Sequence, residues 1–126
     1  MSHVVLYIED NDNNIFLVKS LLRRRPQVEL LVAMNGRAGV QAAIDNRPGL
    51  ILLDNRLPDA TGGEILRELG ATAATAAIPV VIFSGDSGPM IDELLASGAA
   101  ESVRQPFDIH QFMDIIDRYL PPSAGN

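Results

Sequence analysis

Cysteine and tryptophan are absent from the 126 residues of this chain. The absence of cysteine excludes disulfide bonds, thiolate metal ligands and cysteine nucleophiles. Long apolar segments are also missing, since the longest uninterrupted ones have four or five residues, whereas a membrane-spanning helix needs roughly 20. The N-terminus has no basic segment of the kind that begins a signal peptide, so we expect a cytoplasmic protein without a membrane span.

Positive charge is the scarcer kind in this chain. Ten lysine and arginine residues stand against 16 aspartate and glutamate residues, which gives a net charge of -6 and a pI near 4.7. This balance argues against nonspecific binding of nucleic acid or of an anionic membrane surface, because both are themselves negatively charged. It is compatible with the binding of a cation.

The length of the chain and its 47% of apolar residues suit a single domain with its own core. We predict that residues 1–120 form this domain. Residues 121–126 are rich in proline, serine and glycine, and we predict that they form a flexible tail. Such a tail fits either a native C-terminus or the beginning of a linker.

Short apolar segments alternate along the chain with segments of helical periodicity. Strands are predicted at residues 4–9, 28–33, 50–53, 79–84 and 101–104. Helices are predicted between them, and the last helix is capped by Asp108 and turns Ile109 inward. Five repeats of strand and helix predict the α/β class, with a parallel sheet covered by helices on both faces.

The most informative stretch is residues 50–63, which read LILLDNRLPDATGG. Its four leading apolar residues predict a strand buried on both faces, and Asp54 stands at the C-terminal end of that strand. Ligands of open α/β sheets bind at this end of the strands. An aspartate after a strand can also be only a turn-forming or helix-capping residue, so this stretch alone leaves both roles open.

Further polar residues collect at the same edge of the predicted sheet. Glu9 and Asp10 follow the first strand, Ser84 ends the fourth strand, and Gln105 follows the fifth. Three carboxylates brought together repel one another unless a cation offsets their charge, and oxygen ligands of this kind suit Mg²⁺. The alternatives are that Glu9 and Asp10 are loop acids without a metal and that Ser84 is a turn residue.

The loop after the first strand, residues 10–14, contains no glycine. It therefore cannot form the glycine-rich phosphate cradle of a Walker or dinucleotide-binding loop. A phosphoryl group would instead approach through the metal, and a carboxylate beside Mg²⁺ can act as a nucleophile that becomes an acyl phosphate. The Ser84 hydroxyl could then donate a hydrogen bond to a phosphoryl oxygen.

The sequence resembles the receiver domains of two-component response regulators over essentially its whole length. The resemblance rests on YIEDN at residues 7–11, LILLDNRLPDATGGEIL at 50–66, IPVVIFSG at 78–85 and QPFD at 105–108. It implies a flavodoxin-like (βα)5 fold, a doubly wound five-stranded parallel sheet with strand order 2-1-3-4-5. It also implies phosphorylation by a sensor histidine kinase or a histidine phosphotransfer protein. Such a domain can belong to a hybrid kinase or a larger regulator, and it can form a homodimer.

The resemblance also implies roles for individual residues. Asp54 becomes the phosphoacceptor, and Ser84 becomes the hydroxyl residue of the switch. Asp10, Asp54 and the backbone carbonyl of Arg56 become the Mg²⁺ ligands, and Glu9 binds the metal through a water molecule. We expect that the domain by itself binds neither nucleic acid nor a membrane.

One departure from the family's pattern concerns charge. The family has a lysine immediately before the proline of the last motif, where this chain has Gln105. Glutamine can donate a hydrogen bond to a phosphoryl group, but it cannot form an ion pair with it. Strand alternation sends Arg104 to the opposite face, so Arg56 is the better candidate for a replacement cation, unless its side chain simply points into solvent.

A second departure is Ser102, which stands where the family usually has an aromatic residue. That aromatic side chain turns inward when the hydroxyl residue of the switch moves. Serine is too small to fill the same space. We therefore expect that output through the face of the fourth helix and the fifth strand is weakened or altered.

These observations favour a phosphoaccepting receiver domain, which is a signalling switch and not an enzyme, although it would catalyse its own phosphorylation and slow dephosphorylation. Gln105 and Ser102 favour the alternative, a degenerate receiver that binds proteins without being phosphorylated. A third hypothesis is a Mg²⁺-dependent phosphatase with an aspartyl nucleophile. It would need a second general acid near Asp54 and a capping segment, for which 126 residues leave little room.

Overall fold

The computed structural model describes residues 3–85 and 89–121 of the chain. Within these residues five strands alternate with five helices, as the apolar pattern predicts. The elements are β1 (Val4–Ile8), α1 (Asp12–Leu22), β2 (Glu29–Ala33), α2 (Gly36–Asn46), β3 (Leu50–Asp54), α3 (Gly62–Ala71), β4 (Val80–Ser84), α4 (Pro89–Ala96), β5 (Glu101–Arg104) and α5 (Ile109–Tyr119). The predicted tail lies outside the described residues except for Pro121, so its flexibility and its boundary stay predictions.

All five strands pair in parallel and form one sheet in the order β2-β1-β3-β4-β5. This confirms the predicted α/β class and the strand order 2-1-3-4-5 that the resemblance implies. The chain first moves outward from β1 to β2 and then crosses to β3 on the other side of β1. Such a reversal opens a crevice at the C-terminal ends of β1 and β3, where ligands bind in open sheets.

The sheet separates two apolar clusters, because successive side chains of a strand point to opposite faces. One cluster packs against α1 and α5, and the other packs against α2, α3 and α4. The fully buried residues of the three central strands are Val5, Tyr7, Leu50, Leu52, Val81 and Phe83 in the first cluster, and Leu6, Ile8, Ile51, Leu53 and Ile82 in the second. Burial on both faces explains why these strands show no polar alternation in the sequence.

Polar side chains cap the beginnings of four helices. Asn11, Asn35 and Thr61 accept hydrogen bonds from backbone N–H groups in the first turns of α1, α2 and α3. Asp108 does the same for α5, as predicted. Because each such cap contributes about 1 kcal/mol to stability, these residues fix where the helices begin and therefore how long the loops at the strand ends are.

Ile109 is 44% exposed, so the prediction that it turns inward is wrong. The buried stripe of α5 begins further along, at Phe112 and Met113. A helical side chain leans toward the turn that precedes it. Ile109 is the first residue of α5 and follows the cap directly, so it has no preceding turn of its own helix against which to pack.

The helices are short, since α4 has 8 residues and the other four have 10 or 11. A membrane-spanning helix needs roughly 20 residues. In the described part of the chain, no helix combines the length and the apolar character that a membrane crossing requires.

Candidate functional site

The C-terminal ends of β1 and β3 bring three carboxylates together. Glu9 and Asp10 directly follow β1, and Asp54 is the last residue of β3. Because the two strands are neighbours in the sheet, one carboxylate oxygen from each of the three residues lies within 4.8 Å of the others. The three residues thus form a cluster that could hold a metal ion at the predicted edge of the sheet.

Glu9 is almost fully buried, with 1% of its surface exposed. Its Oε1 accepts hydrogen bonds from the Tyr7 hydroxyl at 3.1 Å and from the Asn14 side-chain amide at 3.0 Å. Its Oε2 accepts hydrogen bonds from the backbone N–H groups of Asp10 and Asn11 at 3.1 and 3.3 Å. Four donors therefore hold the Glu9 carboxylate in one orientation beside Asp10 and Asp54.

Asp54 is half-buried, and burial raises the pKa of its carboxyl group to about 7. The hydrogen bond and the negative charge of Glu9 contribute to the raised pKa, and the charge of Asp10 adds a smaller part. The backbone N–H of Arg56, 3.4 Å from Asp54 Oδ1, acts in the opposite direction. The negative charges of the three carboxylates thus repel one another, and a bound cation would reduce this repulsion.

Tyr7 lies beneath this cluster and is completely buried. Burial raises the pKa of its hydroxyl well above the ordinary range, and the charge and hydrogen bond of Glu9 act in the same direction. The hydroxyl therefore stays protonated and donates to Glu9 throughout the physiological pH range.

Asp54 opens into a cleft of about 390 Å³ at the same edge of the sheet. The cleft is lined by Asp54, Asn55, Arg56, Ser84, Gly85 and Gln105. Ser84 is 1% exposed, and its backbone carbonyl accepts a hydrogen bond from the backbone N–H of Gln105 at 2.9 Å. The structure thus brings four predicted site residues to one cleft, and their chemical roles there stay predictions.

Positive charge in the described lining of the cleft comes from one residue. Gln105 is uncharged, and the chain's single lysine is Lys19 on α1. Arg104 is exposed and does not belong to the described lining of the cleft. Arg56 is exposed and does line it, so it is the cationic residue of that described lining. The placement of Arg56 fits the prediction of a replacement cation, and its action on a phosphoryl group stays a prediction.

Ser102 lies on β5 opposite Ile82 of β4 and is half-buried. Beside it, Glu101 accepts hydrogen bonds from the Arg118 guanidinium and from the Tyr119 hydroxyl, which join β5 to α5. The predicted effect of Ser102 on signal output stays a prediction.

The loop between β3 and α3 is tied down at two points. The backbone N–H of Gly62 donates to the Asn55 carbonyl at 2.8 Å, which closes the loop beside Asp54. The carboxylate of Asp59 accepts hydrogen bonds from the backbone N–H groups of Gly36 and Arg37 at 2.6 and 2.9 Å, at the beginning of α2. These hydrogen bonds, that of Arg37 first, hold the pKa of Asp59 below its ordinary range.

Four residues that shape the site were not among the predicted ones: Tyr7, Asn14, Asp59 and Gly62. The sequence did carry a signal for Tyr7, because it stands two residues before Glu9 and therefore shares its side of the strand. Asn14 lies in the first turn of α1, close enough in sequence to reach Glu9. Asp59 acts across 23 residues, and no local pattern in the sequence indicates such a contact.

The chain matches the response regulator receiver domain over residues 5–117. It is 28% identical over 121 residues to the polar-differentiation response regulator DivK of Brucella anthropi, and the match covers 95% of this chain and 98% of that protein. It is 31% identical over 109 residues to histidine kinase P4 of Formosa agariphila. That match covers 86% of this chain, which spans only 8% of the length of the kinase.

Solved structures show the same fold. The receiver domain of sensor histidine kinase PA1611 from Pseudomonas aeruginosa PAO1 matches with a TM-score of 0.85 and 24% identity, covering 97% of this chain and 100% of that one. It was crystallised with a magnesium ion in its active-site cleft. A chain in the co-crystal structure of the Saccharomyces cerevisiae histidine phosphotransfer protein Ypd1 and the receiver domain of Ssk1 matches with a TM-score of 0.81 and 22% identity, covering 94% of this chain and 88% of that one.

Proposed function

The chain belongs to the response regulator receiver domains, and we propose that it accepts a phosphoryl group on Asp54 with Mg²⁺ bound beside that residue. Receiver domains are signalling switches of two-component systems and generally not classical enzymes. The observation that carries the proposal is the convergence of Glu9, Asp10 and Asp54 within 4.8 Å beside an open cleft. The magnesium ion in the cleft of the PA1611 receiver domain supports it.

The donor set at this site fits Mg²⁺. Carboxylate oxygens at the edge of an open cleft leave room for the water ligands that Mg²⁺ retains. Asp10, Asp54 and the backbone carbonyl of Arg56 would hold the ion directly, and Glu9 would hold it through water. When bound, Mg²⁺ supplies positive charge that offsets the negative charge of the phosphoryl oxygens.

The chain's own residues divide the rest of the chemistry among them. A carboxylate oxygen of Asp54 attacks the phosphorus of a phosphohistidine, so an O–P bond forms and the N–P bond breaks. The electron pair of the broken bond returns to the imidazole nitrogen. The Ser84 hydroxyl and the Gln105 amide donate hydrogen bonds to phosphoryl oxygens, and Arg56 supplies the side-chain cation that the family's lysine otherwise provides.

The phosphodonor would be a histidine kinase or a histidine phosphotransfer protein, and an apolar surface beside the site suits its docking. Phe16 and Leu17 on α1 are 67% and 41% exposed. A second cleft is lined by Asn14, Leu17, Gln105, Pro106 and Phe107. Gln105 also lines the Asp54 cleft, so a partner seated on α1 would have its histidine next to Asp54.

Incubation with acetyl phosphate and Mg²⁺ is expected to add one phosphoryl group to the protein, seen as a shift in its intact mass. The group should be labile to hydroxylamine, as an acyl phosphate is, and the Asp54→Asn variant should stay unmodified. Arg56→Ala is expected to lower the yield because it removes the cation from the cleft.

An unmodified wild-type chain would contradict the proposal and favour the degenerate receiver. Gln105→Lys separates the causes in that case, because it restores the charge that the family has at this position. If only this variant becomes modified, Gln105 is the reason for the degeneracy. If the wild-type chain is already modified, Gln105→Lys should raise the yield further.

Phe16→Ala is expected to slow phosphoryl transfer from a phosphorylated histidine phosphotransfer protein about tenfold, the loss typical of one buried interface aromatic. Its modification by acetyl phosphate should match that of the wild type, because Phe16 does not line the Asp54 cleft. Met90→Ala, which truncates a 44% exposed side chain on α4, is the control. Equal transfer rates for Phe16→Ala and the wild type would refute this docking surface.

A further inference from the structure

We propose that Tyr7 and Asn14 are positioning residues, which orient the Glu9 carboxylate toward the Mg²⁺ site and so set the affinity of the site for the metal. This inference rests on the proposed function and adds two residues to it. Neither side chain belongs to the three-carboxylate cluster itself. Both act on it through their hydrogen bonds to Glu9 Oε1.

The two oxygens of Glu9 differ in the donors that they receive. Each oxygen accepts two hydrogen bonds from groups on β1, on the loop after it or on α1. The two backbone donors bind Oε2, whereas the two side-chain donors bind Oε1. Substitution of Tyr7 or Asn14 therefore removes one of the two contacts that hold Oε1 and leaves the Oε2 contacts in place.

Two different elements hold Oε1. Tyr7 reaches it from inside β1, where its ring is completely buried and lies 6.0 Å from the ring of Phe83. Asn14 reaches it from the first turn of α1. The strand and the helix thus form a clamp around one carboxylate oxygen, and the clamp stands at the crevice where β1 meets β3.

The chemistry of Tyr7 indicates that its hydroxyl acts on Glu9 and does not merely fill space. The cluster around its ring consists of apolar side chains, and phenylalanine would fill the same volume. A hydroxyl buried among such side chains costs free energy unless it finds an acceptor. The acceptor here is Glu9. What tyrosine provides at this position and phenylalanine would not is therefore a hydrogen bond to the Glu9 carboxylate.

The orientation of Glu9 matters to the metal because a ligand held by outer partners presents its oxygen in one direction. For a residue that binds the metal directly, substitution of such outer partners typically costs 10–100-fold in metal affinity. Glu9 would act through water, so we expect an effect at the lower end of this range. Glu9 without its clamp keeps its charge near Asp10 and Asp54. It loses the fixed direction of Oε1, and with it part of the stabilisation of Mg²⁺ and of the water bound to it.

Tyr7→Phe and Asn14→Ala are each expected to raise the dissociation constant of Mg²⁺ about tenfold, measured by titrating backbone amide NMR shifts with MgCl₂. Tyr119→Phe is the matched control. Tyr7 and Tyr119 are the chain's two tyrosines, and the Tyr119 hydroxyl also donates to a glutamate, Glu101, at 2.6 Å. This variant should bind Mg²⁺ as the wild type does.

The Glu9→Ala background tests whether Tyr7 acts through Glu9. In that background Tyr7→Phe should change Mg²⁺ affinity no further, which a general effect on packing would not reproduce. Wild-type affinity in both Tyr7→Phe and Asn14→Ala overturns the inference and leaves the proposed metal site intact. Asn14→Ala tests the clamp even if Tyr7→Phe does not fold. Absence of saturable Mg²⁺ binding by the wild-type chain overturns the inference together with the metal site.

Discussion

Phe83→Ala is expected to lower the free energy of unfolding by about 3–5 kcal/mol, the range for a fully buried phenylalanine. Phe83 is completely buried and is the penultimate residue of β4. Its ring contacts three others, with centroid distances of 6.0 Å to Tyr7, 5.3 Å to Phe107 and 6.3 Å to Phe112. Removal of the ring would leave a cavity lined by three aromatic rings whose backbones lie on different elements, so it could close only partly. Urea denaturation measures the effect.

Phe16→Ala is the matched control for this prediction, because it removes the same side chain from the surface. Phe16 is 67% exposed on α1, and surface substitutions usually change stability by less than about 0.5 kcal/mol. A loss of less than about 1 kcal/mol in Phe83→Ala would mean that the cavity collapses. It would contradict the view that the four rings form one rigid cluster.

The aromatic cluster also bears on the site. Phe107 stands two residues after Gln105. Its ring stacks on Phe112 of α5 at 5.4 Å and makes a T-shaped contact with the ring of Phe83. These contacts anchor the loop between β5 and α5 to the core. The position of Gln105 in the Asp54 cleft therefore depends on packing beneath it and not only on the backbone hydrogen bond to Ser84.

The sequence predicted the fold well because the central strands are buried on both faces. Short uninterrupted apolar segments such as residues 50–53 indicate buried strands, and the helical segments between them indicate a parallel sheet. The placement of Asp54, Glu9 and Asp10 followed from topology, since parallel strands end at one edge. Ile109 shows where the helical spacing of apolar residues misleads. The apolar pattern of α5 extends to its first residue, but that residue has no surface of the protein to pack against.

Parts of the site depend on contacts that no local pattern specifies. The clamp of Tyr7 and Asn14 on Glu9 joins a strand to the following helix, and its geometry depends on how that helix crosses the sheet. Asp59 binds the beginning of α2 from the loop after β3, although α2 lies before β3 in the sequence. Such contacts appear only when tertiary structure brings distant backbone N–H groups within reach.

Loop geometry links these contacts to the chemistry proposed for Asp54. The loop between β3 and α3 carries Arg56, whose carbonyl and side chain both have proposed roles. Asp59 secures the middle of this loop to α2, and the hydrogen bond from Gly62 to Asn55 secures its end. The loop is thereby fixed before any metal binds, which reduces the cost of organising the site.

Gly62→Ala is expected to disrupt this loop and the site with it. A Cβ atom at Gly62 would lie 2.7 Å from Asn55 Oδ1 and 3.0 Å from Asn55 Cα. The Cα atom belongs to the backbone directly after Asp54, so it cannot move aside without shifting Asp54. We expect a loss of stability of about 1–3 kcal/mol, as for other overpacked sites, together with weaker Mg²⁺ binding and a lower yield of the acetyl phosphate adduct.

The neighbouring glycine supplies the control, because it lies in the same first turn of α3 but has space around it. A Cβ atom at Gly63 would meet its nearest neighbour, Leu94 Cδ2, at 3.7 Å, which is ordinary contact. Alanine is the better helix former by up to about 1 kcal/mol, so Gly63→Ala should be at least as stable as the wild type and equally modified. If Gly62→Ala and Gly63→Ala behave alike in urea denaturation and adduct yield, the close approach of Gly62 to Asn55 does not hold the loop in place, and the position of Asp54 must depend on β3 and Asp59 alone.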